Sequence, residues 1–352
     1  MFQTLVDCGL VMEKYIKENI SSEDPVNIKQ ILGNFSTDII GSCAFGIECN
    51  SFKQPDSPFR EYSKKAFTRG RFSSFKAAFA SSHPNLSRAL GIRLTDPDVT
   101  NFFTNVVRDT INYRLENNYQ RKDLLQLLID MRNEKEDRKT RDGNSLTLNE
   151  IVAQCFLFFI AGFETSSTTM TFALFELAKH QDLQEKAREE LVTILAKHDN
   201  QVTYDSLSEL KYMKQVIDET LRMYPPVPVL PRMCVKDFKV PGEDVVLEKG
   251  TRVVCDPPRR SLLQKPEVFD PERFSDENRK NIPQFAHLPF GDGPRNCIGE
   301  RFGIMQTKVG LACILKNFRV TLNEKTQFPI KMDPAKFIPE VLGGVWLNLE
   351  KL

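Results

Sequence analysis

The sequence has no excess of charge of one sign. Its 352 residues include 48 Lys and Arg against 47 Asp and Glu, which gives a formal net charge of +1 at pH 7. A nucleic-acid-binding surface is normally basic, because phosphates are contacted by Lys and Arg. The balanced composition therefore gives no electrostatic case for a nucleic-acid partner.

Closely spaced cysteines are also absent. The eight cysteines lie at positions 8, 43, 49, 155, 234, 255, 297 and 313, with no C-x-x-C pair and no nearby histidine partner. Disulfide frameworks and zinc sites normally show close, regular spacing. The pattern predicts reduced, mostly buried thiols in a protein that faces the cytosol.

A long apolar run is missing as well. The longest, from Ile151 to Phe163, contains Gln154 and is too short to cross a bilayer. No signal peptide, internal repeat or low-complexity tract is visible. A chain of this length can bury a large core in one or two domains.

What stands out is a decapeptide, Phe290-Gly-Asp-Gly-Pro-Arg-Asn-Cys-Ile-Gly299. Its glycines and proline predict a shaped loop, and helical periodicity resumes directly after Cys297. A helix start favours the thiolate of a cysteine. The loop thus offers one thiolate to a metal and one cation, Arg295, to a carboxylate. The alternative is a plain turn above a buried thiol.

A second stretch predicts a buried helix. Thr147-Leu-Asn-Glu150 is a capping box, and the helix after it is apolar on nearly every side. Its segment Ala161-Gly-Phe-Glu-Thr165 precedes further hydroxyl residues, so the helix can widen there and leave a carbonyl free. The alternative is an ordinary buried helix whose Ser and Thr side chains bond to their own turn.

The pattern Phe290-x-x-Gly293-x-Arg295-x-Cys297-x-Gly299 resembles the haem-binding signature of the cytochrome P450 haem-thiolate monooxygenases. The surrounding sequence resembles their insect microsomal, xenobiotic-metabolising branch. The resemblance implies a mainly α fold with a minor β region, formed by one domain over residues 1–352. It also implies haem b, with Cys297 as the axial ligand and Phe290, Arg295 and Gly299 around it.

The resemblance assigns roles to further residues. Glu164 and Thr165 correspond to the family's acid–alcohol pair, which manages oxygen and protons while the thiolate favours O–O cleavage. Arg232 corresponds to a propionate partner, which would act together with Arg295.

Three charged side chains correspond to a buried network that holds the haem-side core and has no catalytic part. Glu219 and Arg222 stand three residues apart in a predicted helix from Tyr212 to Met223. Arg273, in Pro271-Glu-Arg-Phe274, completes the network by resemblance. Without the resemblance, such a pair is usually a weak surface contact.

The implied reaction is monooxygenation of a small lipophilic compound with O2 and electrons from NADPH. The implied partners are NADPH–cytochrome P450 reductase and, as a further candidate, cytochrome b5. The substrate-contacting residues would be Phe163, Val227, Val229, Leu230 and Val341.

The implied location is the cytosolic face of the endoplasmic reticulum. The basic, Phe-rich segment from Phe59 to Phe79 would lie at the membrane surface, or instead form a helix pair with one core face.

The chain departs from the family pattern in two places. Its start resembles an internal stretch of a typical member, so about the first quarter, including the membrane anchor, is expected to be absent. Residues 255–265 are shorter than the family pattern and differ in composition. Two alternatives therefore stay open: a truncated fragment that holds haem poorly or without turnover, and a haem-thiolate isomerase that needs no reductase.

Overall fold

Most of the described residues lie in helices. The computed structural model describes residues 1–21, 23–54, 56–67, 73–137, 146–255, 264–336 and 338–352. Within these residues the α-helices are α1 (Phe2–Asn19), α2 (Ile28–Ile40), α3 (Pro58–Phe67), α4 (Ser73–Ser82), α5 (Pro84–Ala89), α6 (Pro97–Glu116), α7 (Leu124–Asp137), α8 (Leu148–Lys179), α9 (Gln181–Ala196), α10 (Tyr204–Glu209), α11 (Lys211–Met223) and α12 (Glu300–Leu315). A π-helical turn, Gly41–Phe45, extends α2, and short 3-10 helices include Pro271–Phe274 and Gly293–Arg295.

The strands form small antiparallel sheets. They are β1 (Val26–Asn27), β2 (Leu230–Met233), β3 (Phe238–Lys239), β4 (Val246–Leu247), β5 (Arg252–Cys255), β6 (Phe318–Leu322) and β7 (Trp346–Lys351). The largest sheet has the order β1-β7-β6, while β2 pairs with β5 and β3 pairs with β4. In the second sheet Arg232 lies opposite Val253 and Leu230 opposite Cys255. The prediction of a mainly α fold with a minor β region is confirmed.

Helix α8 runs through the centre of the molecule. The predicted capping box is present, since the Thr147 side chain accepts from the backbone of Glu150 and the Glu150 carboxylate accepts from the backbone of Thr147. Helices α2, α6, α7, α9, α11 and α12 all pack against α8. Every residue from Ser166 to Ala178 is buried, so this part of α8 has no solvent-facing side.

The length of α8 exceeds the apolar run seen in the sequence. With 32 residues, it is the one helix among the described residues that is long and apolar enough to cross a bilayer, judged by length and composition alone. The run from Ile151 to Phe163 is therefore only the first half of a longer helix. The second half of α8 is buried and packs among other helices, as is typical of a central core helix.

Helices α2, α8 and α12 meet at a glycine. A Cβ on Gly310 of α12 would lie 2.3 Å from Sδ of Met170 on α8 and 3.0 Å from Cε1 of Phe35 on α2. The first separation is shorter than real contacts allow and the second is tighter than most, so the three helices approach this closely because Gly310 has no side chain.

Candidate haem-thiolate site

The loop before α12 has the shape that its glycines predict. Gly291 and Gly293 both have positive φ, at 73° and 75°. The amide of Cys297 donates to the carbonyl of Phe290 at 2.8 Å and closes the loop. Helix α12 begins at Glu300, three residues after Cys297, and the Cys297 side chain is exposed. The loop therefore presents the thiol to the exterior of the described chain instead of burying it beneath a turn.

Strand β2 brings a guanidinium to this loop. Nη2 of Arg232 lies 3.8 Å from the position that a Cβ on Gly291 would occupy, and the carbonyl of Arg295 is 3.9 Å from the same position. The backbone beside Cys297 is also open, because a Cβ on Gly299 would come no closer than 3.8 Å to the sulfur. Arg232 thus lies beside the cysteine loop, and its role as a propionate partner stays a prediction.

The first turn of α12 packs against α8 just after the predicted acid–alcohol pair. A Cβ on Gly303 would lie 3.9 Å from Oγ of Ser166, the residue that follows Thr165. This contact places the cysteine loop and the Glu164–Thr165 segment at the same end of the α8–α12 packing.

Helix α8 does not widen at Gly162. It stays α-helical throughout Leu148–Lys179, so the predicted local widening is wrong. The Thr165 hydroxyl donates to the carbonyl of Ala161 at 2.5 Å and occupies the acceptor that widening would have freed. Thr169 and Thr171 bond in the same way to the carbonyls of Thr165 and Ser167. Thr165 differs from them because its side chain is only partly buried.

The carboxylate of Glu164 is paired with a lysine from α2. Nζ of Lys29 lies 2.7 Å from Oε1 of Glu164, and both side chains are largely buried. The same ammonium donates to Oγ of Ser167 at 2.9 Å and to Oγ1 of Thr168 at 2.6 Å. Burial lowers the pKa of Lys29 even though Glu164 opposes the shift. Lys29 therefore fixes the direction of the Glu164 side chain.

The charged network around Glu219 has the predicted members. Arg222 donates from Nε to Oε2 of Glu219 at 2.6 Å and from Nη2 to Oε1 at 2.8 Å. Nε of Arg273 lies 3.4 Å from Oε2 of the same carboxylate. Arg222 also donates to the carbonyls of Pro266 and Val268, and Glu219 accepts from the amide of Asp270. The bidentate pair thus joins α11 to the segment that leads into the cysteine loop.

Comparison with protein families decides the assignment. The family described as Cytochrome P450 matches residues 1–342. The chain belongs to the cytochrome P450 family. This membership supports a haem-thiolate monooxygenase type of protein, with a haem cofactor held by a cysteine.

Curated P450 relatives are similar along the whole chain. Cytochrome P450 6a2 of Drosophila melanogaster is 42% identical over 364 residues, covering 100% of this chain and 72% of the relative. Probable cytochrome P450 6a21 of the same species is 41% identical over 359 residues, covering 100% of this chain and 71% of the relative. The resemblance to an insect P450 is confirmed.

The exposed groups around the cysteine loop fit a haem of the P450 type. A metal-bound porphyrin needs one sulfur ligand and partners for two carboxylates. Cys297, Arg295 and Arg232 are all exposed and are gathered at one loop, while the apolar Val227 and Val229 are 38% and 45% exposed just before β2. Thiol, guanidinium and apolar surface together are what such a group requires.

The five predicted substrate-contacting residues separate into two groups. Val227, Val229 and Leu230 lie at the exposed or half-buried approach to β2. Phe163 and Val341 are 3% and 5% exposed and belong to the core. Phe337, four residues before Val341, lies outside the described residues, as do residues 256–263 of the divergent segment.

The Phe-rich segment has a buried end and an exposed end. Phe59 is 6% exposed and packs in the core, and the ring of Phe67 lies 5.5 Å from that of Phe163. Phe75 on α4 is 72% exposed, and the nearby leucines of and after α5 are exposed as well: Leu86, Leu90 and Leu94. Phe72 lies outside the described residues. One end of the segment is core, and the other presents apolar side chains to the exterior.

Lys29 is the residue that sequence reasoning missed. It occupies the first turn of α2 and meets α8 only through folding, more than a hundred residues away in sequence. A lysine beside the buried Ile28, Ile31 and Leu32 is the only local signal, and that signal does not identify a partner.

Proposed function

We propose that this chain is a haem-thiolate monooxygenase that oxidises small lipophilic compounds, and that residues 1–352 act as one domain. The observation that carries the proposal is the exposed Cys297 thiol. It is held in a closed loop beside Arg232, just before the N-terminus of α12. Haem b, when bound, supplies the iron centre at which O2 is activated and one oxygen atom passes to the substrate.

The cysteine loop holds the cofactor. Cys297 would provide the thiolate ligand, and the backbone bond from its amide to Phe290 keeps the sulfur in place. Arg232 and Arg295 would bind the propionates through charge-assisted hydrogen bonds. Gly299 leaves the space next to the sulfur open. The buried Glu219–Arg222–Arg273 network keeps the loop's support rigid and takes no part in the chemistry.

Helix α8 carries the two residues proposed to handle oxygen and protons, Glu164 and Thr165. The Thr165 hydroxyl lies on the partly exposed part of α8 and donates to the Ala161 carbonyl, so its oxygen would accept a hydrogen bond on the oxygen side of the site. The Glu164 carboxylate, held by Lys29, takes protons from the polar cavity beside it and passes them toward Thr165 through water.

The proposed electron source is NADPH through a flavoprotein reductase, with cytochrome b5 as a second candidate donor. The apolar Val227, Val229 and Leu230 favour a lipophilic substrate, whose access is bounded by the Phe163 side of α8. The exposed Phe75, Leu86, Leu90 and Leu94 support contact with the cytosolic face of the endoplasmic reticulum membrane.

The test is a carbon-monoxide difference spectrum of the reduced, haem-supplemented protein. We expect a thiolate-type Soret band in the wild type and its loss in Cys297→Ala. Cys255→Ala is the matched control, because that cysteine is also exposed but lies at the end of β5. A band that survives Cys297→Ala, or that is absent in the wild type, would contradict the proposal.

Turnover separates the remaining alternatives. With reductase, O2 and a lipophilic test substrate, a monooxygenase consumes NADPH and forms an oxygenated product. Turnover without NADPH would indicate a haem-thiolate isomerase instead. A correct Soret band with neither activity would indicate a fragment that holds haem without catalysis.

A further inference from the structure

The segment that joins α11 to β2 is rich in proline. Of the residues from Pro225 to Pro231, those at positions 225, 226, 228 and 231 are prolines. A proline ring fixes its own φ and also restricts the backbone of the residue before it. The direction in which the chain leaves Tyr224 is therefore carried on to Val227 and Val229 with little freedom in between.

This segment makes few bonds of its own. No hydrogen bond joins residues 225–229 to any other part of the chain that the structure describes. Of these five residues Pro226 is buried, and pairing with β5 begins only at Leu230. The path of the segment therefore depends largely on its two ends, which are Tyr224 and strand β2.

Tyr224 attaches the first of these ends to α8. Its hydroxyl donates to Oε1 of Glu176 at 2.5 Å. Its ring stacks on the ring of Phe172, with the two centroids 4.3 Å apart and the planes 2° from parallel. Phe172 and Glu176 stand four residues apart and so share one face of the helix. This face offers a flat ring and an acceptor to the ring and the hydroxyl of Tyr224.

The acceptor, Glu176, is itself held in place. Its side chain is 0% exposed, and Nζ of Lys179 donates to Oε2 at 2.9 Å. Nε2 of His180 lies 3.6 Å from the same oxygen. A buried carboxylate needs partners of this kind, because no water replaces a lost contact. The Tyr224 hydroxyl is thus bonded to a group whose own position is fixed by the fold.

Beyond the prolines, the segment turns apolar side chains outward. Val227 and Val229 are 38% and 45% exposed, and Leu230 is half-buried at the start of β2. They belong to the set proposed above to contact a lipophilic substrate. Their placement depends on Tyr224, whose hydroxyl is bonded inside the fold to Glu176.

We propose that Tyr224 is a positioning residue for substrate selectivity. Its bond to Glu176 sets where Val227 and Val229 stand, and thereby which carbon atom of a lipophilic substrate is presented for oxidation. Without that bond, the proline-stiffened segment turns as a unit about the end of α11, and both valines move together. The inference rests on the proposed monooxygenase function and adds the residue that governs its selectivity.

The test compares Tyr224→Phe, which removes the hydroxyl and keeps the stacked ring, with Tyr212→Phe in the same helix. The Tyr212 hydroxyl is buried and has no hydrogen-bond partner among the described residues, so the control removes the same atom without breaking a bond. Both variants are first checked for the thiolate-type Soret band of the wild type. n-Decane, which offers several similar methylene groups, is then oxidised with reductase, O2 and NADPH.

The first readout is the ratio of the decanol isomers that are formed. We expect this ratio to change about threefold or more in Tyr224→Phe, within the range that the loss of one hydrogen bond can produce. We expect no change in Tyr212→Phe. An unchanged ratio in Tyr224→Phe, or an equal change in both variants, would overturn the inference. Loss of the Soret band in Tyr224→Phe alone would make Tyr224 a support of the haem site and would overturn it as well.

The second readout needs neither haem nor turnover. Methyl NMR of valine-labelled full chain follows the signals of Val227 and Val229, with the buried Val107 of α6 as reference. We expect both segment signals to shift in Tyr224→Phe and to stay in place in Tyr212→Phe. Unmoved signals in Tyr224→Phe would overturn the positioning role. If the wild type lacked the Soret band or turnover, the proposed function would fail, and the valine signals would still decide the positioning role.

Discussion

The network around Glu219 and the loop around Cys297 both carry polar side chains, but these side chains differ in burial and in hydrogen bonding. Glu219 and Arg222 are 0% and 1% exposed, and each makes several hydrogen bonds inside the protein. Cys297 and Arg295 are exposed, and among the described residues neither side chain makes a hydrogen bond within the chain. One region has its polar groups satisfied by folding, and the other keeps them available.

This difference separates stability from ligand binding. A buried charge must find its partner inside the fold, because no water replaces a lost contact. An exposed thiol or guanidinium loses little when it has no protein partner, so it can be reserved for a ligand. We therefore expect substitutions in the Glu219 network to change the free energy of unfolding, and substitutions in the loop to change haem affinity.

The largest expected effect is that of Glu219→Ala. The substitution leaves Arg222 buried without its carboxylate and should lower the free energy of unfolding by about 3–5 kcal/mol. Urea unfolding of the haem-free chain measures this loss. Asp276→Ala is the control, because its ion pair with Lys211 is exposed on both sides and should contribute less than about 1 kcal/mol. A loss below about 1 kcal/mol for Glu219→Ala would remove the contrast between the two regions.

His287 lies between the regions and gives the next largest effect. Its ring packs on Phe274 at 4.6 Å, and Nε2 is buried without a partner among the described residues. Burial, followed by the charges of Lys214, Arg279 and Arg222, lowers its pKa from 6.5 to about 3.

The sign of the resulting pH dependence follows from this lowered pKa. The unfolded chain binds a proton at His287 below about pH 6.5 while the folded chain does not, so stability falls as the pH decreases. At pH 4.5 the loss is roughly 3 kcal/mol. Comparing unfolding of wild type and His287→Gln between pH 7 and 4.5 should show a shallower decline in the variant. The exposed His83→Gln serves as control; equal slopes in all three proteins would contradict the prediction.

The local part of this architecture was predictable from the sequence. The capping box at Thr147, the helix that ends at Met223 and the positive-φ glycines of the cysteine loop each depend on residues that are neighbours in the chain. Spacing alone determines such features. The Glu219–Arg222 pair also follows from helical spacing, whereas its burial was known only through the family resemblance.

The remaining features arise from contacts that spacing does not encode. The Lys29–Glu164 pair requires α2 to pack on α8, and the position of Arg60 requires the missing side chain of Gly33. The predicted widening of α8 failed because the Thr165 hydroxyl bonds to the Ala161 carbonyl within a regular helix. In each case the deciding partner lies outside the motif that suggested the feature.

A smaller effect is expected at the glycine contact of α12, the helix that follows the cysteine loop. Gly310→Ala would place a Cβ 2.3 Å from Sδ of Met170 and 3.0 Å from the Phe35 ring. The flexible Met170 can move, but Phe35 is fully buried, so we expect a loss of about 1–3 kcal/mol by overpacking. Gly303→Ala in the same helix is the matched control, because its nearest neighbour would be 3.9 Å away. Chemical unfolding should show it to be neutral or slightly stabilising.

The smallest stability effect and the clearest ligand effect should come from Arg295→Gln. Because Arg295 is exposed, its loss should change the free energy of unfolding by no more than about 0.5 kcal/mol. If Arg295 binds a haem propionate as proposed, the same substitution should weaken haem binding about tenfold or more, measured by Soret titration of the haem-free chain. Arg88→Gln removes an exposed arginine of α5, outside the loop, and should change neither quantity. If Arg295→Gln instead lowered stability and left haem affinity unchanged, the loop would be a structural element like the Glu219 network, and the division between the two regions would be wrong.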